Sequence, residues 1–142
     1  MPIIAHMSKD DFNSEMFPTT DKEPVAIRIN DYKRQGFYST DHMKTKFHAV
    51  HCFSFVVNSS LNPDAELTFE QATEILTVIR KAKSEERAVF IHYSQGECRS
   101  ATIARFAALM FEYDHSELKG VRAYEDHDMV KTLHKAYRNL YR

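Results

Sequence analysis

The sequence predicts an α/β fold in which a single central, mostly parallel sheet is flanked by helices. Two observations carry this. Short runs of β-branched and aromatic residues alternate with longer stretches whose apolar residues recur at helical spacing. Strand, helix, strand and helix patterns then follow one another, the order that builds a helix-covered sheet.

Taken in order, residues 2–7 (PIIAHM) and 24–29 (PVAIRI) are predicted as short strands, and residues 48–57 (HAVHCFSFVV) as a third. Residues 58–67 form a loop by their Asn, Ser, Pro and Asp content. A helix follows. Thr68 and Gln71 have the spacing of a capping box, Ala72, Ile75, Leu76 and Ile79 make one apolar stripe, and Lys81 and Lys83 suit the last turn. Residues 88–92 (AVFIH) are a continuous apolar run, as expected of a strand buried on both faces. Residues 100–113 (SATIARFAALMFEY) are apolar nearly all round, which predicts a central helix. A last helix starts near Asp128, with Asp126 or Asp128 as its cap and Val130, Leu133, Tyr137 and Leu140 at helical spacing.

No repeat or composition break divides the 142 residues, so a single domain over residues 1–142 is expected. With 19 basic and 20 acidic side chains, broad nucleic-acid or membrane-surface binding is not expected. No apolar run approaches a membrane span and no signal peptide is evident, so a cytoplasmic location is expected. Cys52 is expected to be a buried strand residue and Cys98 to lie in a loop, with no disulfide scaffold. Among the eight histidines, His48 and His51 are expected to face opposite sides of their strand, and no spacing typical of zinc occurs. Neither metal nor cofactor is expected.

The chemistry concentrates in IHYSQGECRS, residues 91–100. If a helix begins at Ser100, the amides of Ser94, Gln95, Gly96, Glu97 and Cys98 turn toward one point, where the positive end of the helix dipole also lies. Gly96 permits close approach of the backbone or a positive φ. Arg99 can meet two phosphate oxygens with its planar fork. The plain structural alternative is a strand-to-helix turn with a capping serine and a surface arginine. Glu97 is harmless if directed outward and repels phosphate if directed inward.

This stretch resembles the H-C-x-x-G-x-x-R-S/T signature of cysteine-dependent protein tyrosine and dual-specificity phosphatases. His92, Gly96, Arg99 and Ser100 match its histidine, glycine, arginine and hydroxyl positions. SATIARFAA is similar to the helix that follows the signature in dual-specificity enzymes, and YEDHDMVKTL resembles a further stretch common in such proteins. From about residue 24 onward the order of segments is similar to that of small bacterial and phage members. The resemblance implies a dual-specificity-phosphatase-like fold, a phosphate-binding loop over residues 94–100, and a His92 that braces the loop by hydrogen bonding.

Two positions depart from the pattern. Tyr93 stands where the family places its nucleophilic cysteine. A phenol ionises near 10 and its oxygen lies farther from the backbone than a sulfur would, so thiolate-type attack is lost. The aspartic acid expected near the end of the third strand is also missing. Phe55 marks a place where it could be restored, while Asp64 and Glu66 are weak substitutes in a loop. Cys98 cannot replace the nucleophile, because the arginine it would need falls at Ala104.

The leading expectation is therefore a pseudophosphatase with no catalytic residue. It would hold a phosphorylated protein, or a small phosphorylated molecule such as a nucleotide, through Arg99 and the loop amides. Tyr32, Phe37 and Tyr38, beside Lys33 and Arg34, either rim the ligand or pack as an ordinary loop. Two alternatives stand beside this. One is an active phosphatase or phosphoesterase with an unusual nucleophile or a water activated by His92. The other is a phage or bacterial protein that sequesters a phosphorylated or cyclic nucleotide.

Overall fold

The computed structural model describes residues 1–8, 12, 18–30, 46–55, 67–93, 98–118 and 127–141. Four strands, β1 (Ile4–Ser8), β2 (Val25–Asn30), β3 (Ala49–Ser54) and β4 (Val89–Tyr93), form one sheet in the order β1-β4-β2-β3. Every neighbouring pair is parallel. Three helices complete the described fold: α1 (Phe69–Ser84), α2 (Cys98–Phe111) and α3 (His127–Leu140). The class is α/β, as the segment order predicts.

Alternation along the strands assigns the two faces. Ile4, Val25, Ile27, Ile29, Val89 and Ile91 point to one side and join the buried stripes of all three helices in the main core. Removing each such side chain from water stabilises the fold by about 1.5–3 kcal/mol. Ala5, Met7, Ala26 and Phe90 point to the other side, where Phe12 and Phe47 close over them. The three described helices thus share one face, and aromatic side chains from segments preceding β2 and β3 cover the second.

The expected capping box of α1 forms in both directions. Thr68 Oγ1 accepts from the Gln71 amide, and Gln71 Oε1 accepts from the Thr68 amide, each at 3.1 Å. Gln71 Nε2 also donates to the Ser54 carbonyl at 3.1 Å, which ties the helix start to the end of β3. The other end closes as a Schellman motif. The amides of Glu86 and Arg87 reach Lys83 and Ala82 at 2.9 and 2.8 Å, with Glu86 at φ 55°.

α2 begins at Cys98, two residues before the expected Ser100, and ends at Phe111 rather than Tyr113. Glu112 turns the chain at φ 60°, and Tyr113 is buried outside the helix. Its hydroxyl lies 3.3 Å from the Ile79 carbonyl and 3.2 Å from that of Arg87. In α3 the fully buried stripe is Met129, Leu133 and Ala136, with Val130, Tyr137 and Leu140 half-buried. Asp128 lies inside the first turn instead of capping it, because the helix starts at His127; Asp126 is outside the described residues.

Candidate functional site

β4 is an interior strand, lying between β1 and β2. It ends at Tyr93, and α2 starts at Cys98, so residues 94–97 make the connection at the carboxyl end of a parallel sheet. This is where ligands settle in open α/β sheets. Ser94, Gln95, Gly96 and Glu97 are outside the described residues, as are Tyr32, Lys33, Arg34, Phe37, Tyr38, Asp64, Glu66 and Tyr124. Because the helix starts early, Cys98, Arg99 and Ser100 all belong to its first turn. Cys98 is therefore a helical residue and not the expected loop residue. Ser100 is not the helix cap but a fully buried residue within the first turn. Tyr93 pairs in register with Ser8 on one side and Ile29 on the other.

The residue before Tyr93 has an unusual environment. Register places Met7, His92, Arg28 and Cys52 in one row across the second face of the sheet. Arg28 and His92 are both fully buried. The Arg28 Nε donates to His92 Nε2 at 2.6 Å. Phe12 covers the pair: its ring centroid lies 4.4 Å from that of His92 and 5.0 Å from the guanidinium carbon. Phe47 stacks behind Phe12 at 5.6 Å and meets Phe90 edge-on at 6.3 Å. Burial pulls the Arg28 guanidinium below its ordinary value, and the neighbouring Cys52 opposes that shift. A charged group inside an apolar sheet face needs such partners to be tolerated.

This environment bears on the reading in which His92 activates a water. Its Nε2 is already an acceptor for Arg28 and its side chain has no exposure. From sequence alone, Arg28 stands only as part of a predicted strand. The available signal was the alternation in VAIRI, which puts a cation on the face carrying Ala26.

Two further expectations are corrected. Cys52 is exposed, not buried, because β3 lies at the edge of the sheet and its second-face positions are incompletely covered. Desolvation around the sulfur still pushes its thiol up, with Arg28 pulling the other way. His48 and His51 do not face opposite sides. His48 precedes β3, and both line one hollow of about 190 Å³ between β3 and α1, with Val25, Val78, Lys81 and Glu85. Burial, and then the Lys81 charge, hold His51 below its ordinary value. Glu85 is held low chiefly by its hydrogen bond from Arg87 at 2.8 Å. Phe55 is fully buried in the main core, so an acid cannot be restored there without opening that core.

Comparison with known proteins finds no matching family model, no matching curated protein and no matching solved structure.

Proposed function

We propose that the chain is a catalytically inactive, phosphatase-like protein that holds a phosphate-bearing ligand or partner at the connection between β4 and α2. One observation supports this above the rest. An interior parallel strand delivers Tyr93 to the carboxyl edge of the sheet, and a fourteen-residue helix opens at Cys98 after a connection of only four residues. The first amides of such a helix have no intrahelical acceptors and carry the positive end of its dipole. Together with Arg99 in that first turn, they would bind a dianion. The dual-specificity-like character rests on the resemblance of residues 91–100 to the phosphatase signature.

Tyr93 explains the proposed lack of turnover. A phenol that ionises near 10 is mostly protonated at neutral pH, and its reach differs from that of a cysteine sulfur. The sequence carries no carboxylate between Cys52 and Pro63, where the resemblance would place the acid that protonates the leaving oxygen, so both catalytic roles are left vacant in this reading.

The test is a thermal-shift series with phosphate, sulfate, phosphotyrosine and nucleotides. A species that binds only the folded chain raises the melting temperature. The expected result is a rise with at least one of these, lost in Arg99→Ala. Hydrolysis of an aryl phosphate above background, abolished by Arg99→Ala, would defeat the claim of inactivity. Tyr93→Cys is expected to gain weak activity if the turn retains its anion-binding shape.

A further inference from the structure

The hollow between β3 and α1 is left open by short side chains. Ala49, His51 and Phe53 alternate onto the helix-covered side of β3, in register with Val25, Ile27 and Ile29 of β2. Phe53 closes into the main core, whereas Ala49 and His51 stay half-buried. Ala82 of α1 lines the same space, and Val25 and Val78 complete an apolar lining around about 190 Å³. An apolar cavity of about 150 Å³ is enough to hold benzene.

The polar groups of the hollow are unevenly engaged. Glu85 Oε1 accepts from Arg87 Nε at 2.8 Å and lies 3.7 Å from His48 Nε2. The Thr77 hydroxyl donates to the Thr73 carbonyl at 2.7 Å. The side chains of His51 and Lys81, in contrast, form no hydrogen bond or ion pair with any described residue. Burial and the Lys81 charge keep His51 neutral at neutral pH, so it offers an N–H beside the ammonium instead of a second cation. Glu85 is the one carboxylate among the lining residues, and Arg87 matches it, which leaves the Lys81 charge for a ligand.

We propose that this hollow binds a small organic carboxylate with an apolar body. The body lies against Val25, Ala49, Val78 and Ala82, and the carboxylate accepts from His51 and from the Lys81 ammonium. Val25 and Ala49 begin β2 and β3, so the hollow is at the amino end of the parallel sheet, away from the connection between β4 and α2. The inference is therefore independent of the function proposed for that connection.

Benzoate is the probe, titrated into the ¹⁵N-labelled full chain while backbone amide spectra are recorded. It should move the amides of Ala49, His51, Val78 and Ala82 to saturation. Acetate lacks the body and benzyl alcohol lacks the charge, so each should bind about tenfold more weakly, and benzylammonium should not bind. Lys81→Met, at an exposed position, should weaken benzoate about tenfold and leave benzyl alcohol unchanged. Ala49→Leu, which fills the space, should abolish benzoate binding.

No saturable benzoate shift at these amides overturns the site, and so does benzoate binding retained in a folded Ala49→Leu. Acetate or benzylammonium bound as tightly as benzoate overturns the ligand class. Unchanged benzoate affinity in Lys81→Met does the same. If Ala49→Leu does not fold, Lys81→Met decides, because it replaces an exposed side chain.

Discussion

Glu86 carries a side chain through a backbone conformation that usually belongs to glycine. Its φ of 55° at the end of α1 is required by the Schellman bonds from its own amide and that of Arg87. A left-handed residue with a Cβ costs about 1–2 kcal/mol, and glycine avoids most of this while giving some back as entropy of the unfolded chain. Glu86→Gly should therefore raise stability by about 0.5–1 kcal/mol, read as a higher urea midpoint at unchanged slope. At this scale the sequence spoke unevenly. Thr68 and Gln71 announce their reciprocal bonds through spacing alone. Arg28 does not announce His92, because the pairing depends on two strands far apart in sequence lying side by side. Cys52 misled because its residue type is commonly buried, whereas its exposure is decided by the edge position of β3.

Among the elements, β4 has the heaviest share of the packing, since it borders β1 and β2 and supports α2. Ile91 is fully buried at its centre, on the helix-covered face. Ile91→Ala should cost about 2–5 kcal/mol in chemical unfolding. Leu109, 67% exposed on α2, gives the contrast: Leu109→Ala should change stability by about 0.5 kcal/mol or less. The four strands and three helices among the described residues were legible, the strands from their β-branched, aromatic or continuous apolar runs, α1 and α3 from apolar residues at helical spacing and α2 from a stretch apolar nearly all round. The boundaries of α2 were not. Cys98 and Arg99 carry no start signal, and Tyr113 continues the apolar run even though the helix has already turned at Glu112. Of the candidate site, the strand and helix that frame it were readable. The buried pair beneath it was not, since register cannot be read from one strand at a time.

Across the whole molecule, Tyr113 joins parts that are distant in sequence. Its hydroxyl meets carbonyls of α1 and of the segment entering β4, and its ring is enclosed in the main core. Burial raises its phenol well above the ordinary 10.0. In the unfolded chain the same group loses its proton near 10. Below that pH both states are protonated and the full stabilisation is present. Above it the unfolded state binds fewer protons than the folded one, so stability falls as pH rises toward the folded value. Urea midpoints of wild type should decline with pH above about 10, and Tyr113→Phe should show a shallower decline from a lower starting stability.

The strand order has a further bearing on biosynthesis. Among the described strands, Ile4 pairs with Val89, and Val25 flanks that same residue from the opposite side. A nascent chain must therefore emit β1 and β2 and leave a gap between them until β4 leaves the ribosome to fill it. Their early edges stay unsatisfied throughout that interval, so a translational pause before codon 89 would lengthen the time in which the growing polypeptide depends on chaperones.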